Sequence, residues 1–172
     1  MSGVSPAEPL VLVVMGVSGS GKTTVGKAVA ERLGWVFKEG DELHPPANIA
    51  KMSAGVPLTD ADRAPWLAAV GRWIDGWIAE GQPGVISCSA LKRAYRQTLL
   101  DGRPQVRVVY IQVPYAVVAE RLAHRKGHFM PPGLLASQFA ALEEPKPEEG
   151  VLTVNGDQPL SDTVDALVSM LV

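Results

Sequence analysis

Residues 16–23 combine glycines with a lysine and a threonine in the spacing G-x-x-x-x-G-K-T. The segment follows an apolar run at 10–15 and opens a stretch with helical periodicity at 22–33, which is the placement that this motif requires. Glycines let successive backbone N–H groups point inward around phosphate oxygens, and the helix N-terminus adds partial positive charge. Lys22 can place its ammonium between the β- and γ-phosphates, and the Thr23 hydroxyl can bind Mg²⁺. The segment is therefore predicted to bind the phosphates of a nucleoside triphosphate.

The predicted nucleotide-binding residues come from this segment and its neighbour in the helix. They are Gly16, Ser18, Gly19, Ser20, Gly21, Lys22, Thr23 and Thr24. Thr24 has a second interpretation as a packing or helix-capping residue. The alternative for the whole segment is an ordinary glycine-rich turn, which its placement and its Lys-Thr ending disfavour.

Phosphate binding alone does not distinguish a kinase from a GTPase or a motor ATPase. The sequence has no Asn-Lys-x-Asp segment to recognise guanine, and its predicted strands 85–88 and 108–111 end without the aspartate expected of a motor ATPase. The acids nearest a strand end are Glu39 and Asp41, after the second strand. This location suits small-molecule kinases, whose acceptor binds beside the phosphate loop.

The pattern of apolar residues predicts alternating strands and helices in the rest of the chain. The predicted strands are residues 10–15, 35–38, 85–88, 106–113 and 151–154. The predicted helices are residues 22–33, 48–53, 60–79, 92–100, 117–124, 134–142 and 161–172. This order favours an α/β fold, a doubly wound and mainly parallel sheet of about five strands flanked by helices, of the P-loop nucleoside-triphosphate hydrolase and kinase type. Ligands of such folds bind at the carboxyl ends of the strands.

Length and composition predict a single domain over residues 1–172. Of the 172 residues 47% are apolar, and the formal net charge is −2. This near balance of charge predicts neither nucleic acid nor a membrane surface as a partner. Residues 1–9 contain no basic residue and the apolar run that follows is short, so no signal peptide or membrane span is expected. The single cysteine, Cys88, suits a reducing compartment, and the cytoplasm is the expected location.

Several distinctive segments accompany the phosphate-binding motif. They are Gly-Asp-Glu-Leu-His-Pro at 40–45, Asn48, Lys-Met at 51–52, Gly-Val-Pro-Leu-Thr-Asp at 55–60, Asp-Arg-Ala-Pro-Trp-Leu at 62–67, Ser-Cys-Ser-Ala-Leu-Lys-Arg-Ala-Tyr-Arg at 87–96, His-Phe-Met-Pro at 128–131 and Ser-Gln-Phe at 137–139. With these segments the sequence resembles the gluconokinase family over nearly its whole length. The resemblance implies ATP- and Mg²⁺-dependent phosphorylation of D-gluconate on its 6-hydroxyl to 6-phospho-D-gluconate, in gluconate catabolism that feeds the pentose phosphate pathway. It also suggests a homodimer.

The resemblance and the chemistry of the acidic residues together suggest their roles. Asp41 is predicted to accept a hydrogen bond from the attacking primary hydroxyl and to take its proton late in the transfer, with a turn or capping role as the alternative. Glu39 stands where the family more often has an aspartate, and its extra methylene moves the carboxylate. It can still order water around Mg²⁺.

Gluconate is an anion with several hydroxyls, so its pocket must supply a cation and a mixture of hydrogen-bond donors and acceptors. Lys92 and Arg96 are four residues apart on a predicted helix and are predicted to clamp the carboxylate, although such charges more often form a solvated face. Arg63 and His44 are further candidates, and His44 has packing or capping as its alternative. The predicted substrate-binding residues are Asp41, His44, Arg63, Ser89, Lys92, Arg96, His128 and Gln138.

The basic, proline-containing region around residues 121–135 has the composition of a mobile lid. Its closure would bring positive charge onto the phosphates and expel water that could hydrolyse ATP. Arg121 and Arg125 are predicted to contact the nucleotide, with Arg125 as the catalytic cation of the lid beside Lys22 and Asp41 of the main site. A basic surface patch is the alternative.

Two other functions remain open from the sequence. A shikimate-like or nucleoside-monophosphate kinase shares the phosphate-binding motif, but a nucleotide acceptor calls for an arginine set and a base pocket that cannot be identified. A non-catalytic nucleotide-binding module would keep the motif without turnover, and the retention of Lys22, Thr23, Asp41 and the basic lid argues against it.

Overall fold

The computed structural model describes residues 10–124 and 132–171. Its strands are β1 (Val11–Met15), β2 (Val36–Glu39), β3 (Gly84–Ser87), β4 (Val106–Gln112) and β5 (Leu152–Asn155). Its helices are α1 (Lys22–Leu33), α2 (Pro46–Ser53), α3 (Asp60–Glu80), α4 (Arg93–Leu100), α5 (Tyr115–Ala123), α6 (Pro132–Ala141) and α7 (Leu160–Leu171). Short 3₁₀ turns occupy Gly40–Leu43 and Pro147–Glu149.

The five strands form one parallel sheet in the order β2-β3-β1-β4-β5, which confirms the predicted fold class. The central strand β1 is apolar throughout because both faces of the sheet are covered. On one face Leu12 packs in a cluster with Val29 of α1 and Leu167 of α7. On the other face Val13 packs in a cluster with Trp66 of α3. Alternate residues of one strand thus supply the two halves of the core.

The carboxyl ends of β1, β2 and β3 meet at one edge of the sheet. β1 leads directly into the phosphate loop, and Glu39 at the end of β2 is paired in register with Ser87 at the end of β3. Parallel pairing places these ends side by side, although they are far apart in sequence. Functional side chains at this edge therefore come from three separate parts of the chain.

The structure moves five of the seven predicted helix starts by one or two residues, those of α2, α4, α5, α6 and α7. Helix α4 begins at Arg93, so Lys92 is its N-cap rather than its first helical residue. Helix α5 begins at Tyr115, immediately after the extended Pro114, two residues earlier than predicted. Tyr115 is 46% exposed and its ring packs edge-on against Phe139 of α6, a contact that local periodicity does not reveal.

The start of α3 is fixed by a reciprocal capping arrangement. The Thr59 hydroxyl accepts a hydrogen bond from the Asp62 backbone N–H at 3.1 Å, and the Asp62 carboxylate accepts one from the Thr59 backbone N–H at 2.9 Å. The ammonium of Lys51 in α2 also donates to both Asp62 oxygens, at 3.0 and 2.8 Å. The hydrogen bond from Lys51, followed by those from Thr59, lowers the pKa of Asp62 to about 2. The same carboxylate thus joins α2 to α3.

We expect the Asp62→Asn variant to lose a specific part of the acid dependence of stability. Because the native pKa lies below its usual value, the ionised carboxylate stabilises the wild type above about pH 4, and this contribution disappears as the pH falls towards about 2. Urea unfolding from pH 6 to pH 2 should show a steeper loss for the wild type than for the variant. The Lys51→Met variant should lie between them, and parallel curves for all three proteins would contradict the prediction.

Candidate active site

The phosphate loop turns at two glycines before α1 begins. Gly19 and Gly21 have φ angles of 81° and 95°, which other residues rarely adopt. Gly21 is the N-cap of α1 and no side chain caps the helix, so its first N–H groups are available to a ligand. Lys22 is 6% exposed. Helix N–H groups beside a buried ammonium form a receptor for phosphate.

A cavity lies over this loop, and we call it the phosphate cavity. It is lined by Ser18, Gly19, Gly21, Lys22, Thr23, Thr24, Glu39 and Asp41. Gly16 lies at the base of the loop, where an added Cβ would come within 2.5 Å of the Ser20 hydroxyl oxygen. Most predicted phosphate contacts therefore surround one space, and Gly16 lets the loop fold closely upon itself.

The carboxylate of Glu39 joins the phosphate loop to the end of β3. One oxygen accepts a hydrogen bond from the Thr23 hydroxyl at 2.5 Å, and the other accepts one from the Ser87 hydroxyl at 2.5 Å. The Ser87 oxygen also accepts from the Gly40 backbone N–H at 3.3 Å. The longer glutamate side chain thus reaches the predicted Mg²⁺ ligand directly. Sequence analysis assigned no role to Ser87, although a hydroxyl that ends a buried apolar strand was a usable signal.

The oxygen groups around the phosphate cavity suit Mg²⁺, which prefers hard oxygen ligands. Thr23, Glu39 and Asp41 all line this cavity. Over residues 10–124 and 132–171, no group of three or more His, Cys, Asp or Glu side chains could hold a metal ion. The donor set fits an ion that takes most of its ligands from phosphates and water, as Mg²⁺ does in nucleotide sites.

A second cavity, which we call the acceptor cavity, opens beside the first. It is lined by Ser18, Lys22, Asp41, His44, Met52, Pro57, Leu58, Arg63, Ser89, Leu91, Ser137 and Gln138. Asp41 and Lys22 line both cavities. Asp41 belongs to the 3₁₀ turn after β2, and the Trp66 indole N–H anchors this turn by donating to the Gly40 carbonyl at 2.9 Å. A group bound in the acceptor cavity would meet the phosphates between Asp41 and Lys22.

His44 is held as a neutral hydrogen-bond donor at the wall of the acceptor cavity. Its ring stacks on Trp66 with centroids 4.2 Å apart, and its Nδ1 lies 3.1 Å from the side-chain nitrogen of Asn48. That amide nitrogen also donates to the Asp62 carbonyl at 2.8 Å, which fixes the orientation of the amide. Because the Asn48 nitrogen can only donate, Nδ1 accepts and the imidazole proton lies on Nε2. Burial lowers the pKa of His44, against the raising effect of Asp41.

Among the described residues, Arg63 is the arginine that lines the acceptor cavity. Its Nη1 donates to the Tyr95 hydroxyl at 3.2 Å, and its guanidinium lies 5.6 Å from the centre of the same ring. Lys92 lies nearby but outside the lining, and its ammonium donates to Asp60 at 2.9 Å. Asp60 also accepts a hydrogen bond from the Tyr95 hydroxyl. The predicted pairing of Lys92 with a substrate therefore competes with an ion pair inside the protein.

The prediction that Arg96 clamps the substrate carboxylate is wrong. The side chain is completely buried, and each of its five N–H groups donates to an oxygen of the protein. The partners are the carboxylate of Glu149 and the carbonyls of Ala90, Leu91 and Glu143. Arg96 has no donor left for a ligand, because the connector after α6 folds over it.

Gln138 of α6 bridges the acceptor cavity and the phosphate loop. Its side-chain oxygen accepts from the Ser18 backbone N–H at 2.6 Å, and its side-chain nitrogen donates to the Ser18 hydroxyl at 3.1 Å. Ser18 lines both cavities. Gln138 therefore accepts a hydrogen bond from a backbone N–H of the phosphate loop, beside the space where phosphates would bind. Ser89, the remaining described candidate, lines the acceptor cavity on the loop after β3.

A third cavity lies on the other side of the phosphate loop. It is lined by Gly19, Ser20, Gly21, Thr24, Val25, Arg121, His124, Gly156, Gln158, Leu160 and Thr163. Arg121 donates to the Ser20 carbonyl at 3.3 Å and to the Gly156 carbonyl at 2.7 Å, so it ties the phosphate loop to the loop after β5. The predicted lid residues Arg125 and His128 lie outside the described residues.

Comparisons with known proteins assign the family. A sequence model of the AAA domain family matches residues 11–145. A gluconokinase from Gluconobacter oxydans strain 621H is 50% identical over 161 residues, which cover 94% of this chain and 90% of that protein. The chain belongs to the gluconokinase family. The thermoresistant gluconokinase of Escherichia coli strain K12 is 42% identical over 162 residues, which cover 94% of this chain and 93% of the relative.

Solved structures place this family member in the same fold. The gluconokinase from Sinorhizobium meliloti 1021 matches with a TM-score of 0.84 and 50% identity, over 94% of this chain and 90% of that one. A shikimate kinase from Bacteroides thetaiotaomicron matches with a TM-score of 0.64 at 20% identity, over 94% and 97% of the two chains. At that identity the likeness shows the fold alone.

We expect the Gln138→Glu variant to bind ATP more weakly. The substitution keeps an oxygen that can accept from Ser18 but adds a negative charge beside the phosphate cavity. Electrostatic repulsion of about 1.4 kcal/mol would raise the dissociation constant about tenfold. Calorimetric titration with a non-hydrolysable Mg-ATP analogue measures this change.

The matched control is Gln97→Glu, which makes the same charge change at an exposed position of α4. It should leave the dissociation constant unchanged. Equal affinities for the two variants would mean that Gln138 does not face the bound phosphates.

Proposed function

We propose that this chain transfers the γ-phosphoryl group of ATP to the 6-hydroxyl of D-gluconate, forming 6-phospho-D-gluconate and ADP. Family membership supports the reaction and the acceptor. The structural observation that carries the proposal is the shared wall of the two cavities, because Asp41 and Lys22 line both. A donor phosphate and an acceptor hydroxyl could therefore meet between a carboxylate and an ammonium.

We propose that transfer depends mainly on positioning and charge, as in other phosphoryl transfers. Lys22 and the first N–H groups of α1 would bind the phosphates and stabilise negative charge on the oxygens of the transferred group. Asp41 would accept a hydrogen bond from the 6-hydroxyl, orient it towards the phosphorus and take its proton late in the reaction. The turn that carries Asp41 is held from below by Trp66, which keeps the carboxylate in place.

We further propose that Mg²⁺ binds at the Thr23 hydroxyl, with Glu39 ordering water around it. A bound Mg²⁺ would offset the negative charge of the phosphates. The hydrogen bond from Thr23 to Glu39 supports this role, since it engages the hydroxyl proton and leaves the lone pairs of the oxygen available to a metal ion at the phosphate cavity. Ser87 holds the other oxygen of Glu39 and so fixes the direction of the carboxylate.

Arg63 is our candidate partner for the gluconate carboxylate. It takes over the role predicted for Lys92 and Arg96, because it lines the acceptor cavity and they do not. His44 would donate from Nε2 to a gluconate hydroxyl, and Ser89 would add a hydroxyl partner on the opposite loop. These groups provide one cation and several neutral donors and acceptors, which match an anion rich in hydroxyls.

Four broader features remain proposals about the whole chain. Residues 1–172 would form a single kinase domain, and residues 121–135 would act as a lid that brings Arg121 and Arg125 towards the nucleotide. The enzyme would work in the cytoplasm, and no helix over residues 10–124 and 132–171 is long and apolar enough to cross a membrane. A homodimer, which the family resemblance suggests, is the fourth of these proposals.

Release of ADP from Mg-ATP tests the function directly, with D-gluconate, shikimate or a nucleoside monophosphate as acceptor. We expect turnover with D-gluconate and with neither of the other two acceptors. In the Asp41→Asn variant, kcat should fall about 10²- to 10⁴-fold. The matched control, Asp165→Asn, changes an exposed carboxylate on α7 and should leave kcat unchanged. Turnover with another acceptor, or none with any, would overturn the proposal.

His44 offers a finer test of acceptor binding. His44→Phe keeps an aromatic ring on Trp66 but removes the Nε2 donor, so KM for D-gluconate should rise about tenfold, the effect of losing about 1.4 kcal/mol. His44→Gln keeps a side-chain N–H donor without the ring and should recover part of the loss. Steady-state kinetics at saturating Mg-ATP measures both values. A larger loss in the Gln variant would assign His44 a packing role instead.

A further inference from the structure

Ala90 adopts a backbone conformation that its side chain disfavours. Among the described residues it is the one non-glycine position with a positive φ, at 38°. Such left-handed geometry is rare for residues with a Cβ and persists where the surroundings enforce it. Ala90 is completely buried, and its neighbours Ser89 and Leu91 both line the acceptor cavity. The disfavoured residue thus lies in the middle of the loop that forms one wall of this cavity.

The guanidinium of Arg96 binds the backbone of this loop. Its Nη1 donates to the Ala90 carbonyl at 3.1 Å and to the Leu91 carbonyl at 3.0 Å. The Ala90 carbonyl belongs to the peptide group that leaves Ala90, so its hydrogen bond to Arg96 fixes the orientation of that peptide group. With the Leu91 carbonyl bound as well, Arg96 opposes rotation of this segment away from the conformation at Ala90.

Arg96 is itself fixed by the connector that follows α6. The carboxylate of Glu149 accepts from Nε at 2.8 Å and from Nη2 at 3.1 Å, and its side chain is 5% exposed. The backbone N–H of Lys146 donates to Glu149 at 3.0 Å, which holds the carboxylate within its 3₁₀ turn. The backbone N–H of Glu143 also donates to the Leu91 carbonyl at 2.8 Å. The connector and the loop are thereby joined at several points.

A buried ion pair is a costly way to gain stability, because both charges must leave water. Because an apolar pair of side chains could fill the same space, stability alone does not account for the buried ion pair. The geometry supplies a further role, since only a planar group with several donors can bind two adjacent carbonyls and a carboxylate together.

We propose that Arg96, fixed by Glu149, is a positioning residue for the acceptor cavity. It holds Ala90 in its left-handed conformation and so keeps Ser89 and Leu91 against the acceptor. This inference rests on the proposed function and adds to it the group that sets the shape of the gluconate-binding wall. Arg96 acts on the acceptor through the loop and touches no ligand.

The test removes the ion pair without leaving a buried charge unpaired. In the double variant Arg96→Met/Glu149→Leu, KM for D-gluconate should rise at least about tenfold, whereas KM for Mg-ATP should stay within about twofold. Adding Ala90→Gly should recover much of the loss, because glycine adopts a positive φ without strain. Recovery by glycine is not expected if Arg96 only stabilises the fold.

The matched control is the double variant Arg103→Met/Asp75→Leu. Arg103 has a similar set of partners, with a carboxylate bound at 2.7 and 3.0 Å and two carbonyls of α4. It binds one carbonyl fewer than Arg96, is less deeply buried and lies outside the acceptor cavity. Its removal should leave both KM values unchanged. If the Arg96 double variant does not fold, Arg96→Lys, which keeps the charge and loses the paired hydrogen bonds, should show the same selective rise in KM.

The outcomes separate this inference from the function on which it rests. No D-gluconate turnover by the wild type would overturn the proposed function itself. Wild-type turnover with an unchanged KM for D-gluconate in the Arg96 variants would overturn the positioning role alone. An equal rise in both KM values, or no recovery by Ala90→Gly, would also overturn it.

Discussion

The carboxylate of Glu39 is the contact on which the arrangement of the site depends. Its two oxygens accept hydrogen bonds from hydroxyls at the start of α1 and at the end of β3, so one side chain joins three strand-end segments. The strands must lie very close for this to happen. At Gly40 an added Cβ would come within 2.0 Å of the Ser87 carbonyl oxygen, which explains why glycine follows Glu39. The phosphate side of the site is defined by close parallel pairing of the strands and by a carboxylate whose two oxygens both accept hydrogen bonds.

The acceptor side depends on side chains held from behind by buried groups. Trp66 supports both the turn that carries Asp41 and the ring of His44. Asn48 sets the tautomer of His44 and links it to the start of α3. The turn that carries Asp41 and the ring of His44 thus each have a partner deeper in the protein, which limits the positions they can adopt. Such preorganisation reduces the cost of orienting a hydroxyl towards phosphorus.

The arginine residues show how differently two predicted substrate contacts are placed in the structure. Arg63 was a predicted substrate contact and lies in the acceptor cavity, but Arg96 was predicted to be one and is fully engaged with protein oxygens. The four-residue spacing of Lys92 and Arg96 suggested a shared helical face, yet α4 begins at Arg93. An i, i+4 spacing describes neighbours along one helix. It carries no information about a connector some fifty residues later that supplies Glu149.

The sequence by itself determined the nucleotide site and the fold class. The phosphate loop, the strand before it and the helix after it are contiguous, and alternating periodicity is a local property that a parallel sheet with helices on both faces requires. The tertiary structure alone decided which donors line the acceptor cavity and which bind oxygens of the protein. Glu39 reaches Thr23, Ser87 supports Glu39, and Glu143 and Glu149 close over Arg96, all through contacts between distant segments. A hydrogen bond depends on distance and direction in space, and residue type and spacing do not specify these between segments far apart in the chain.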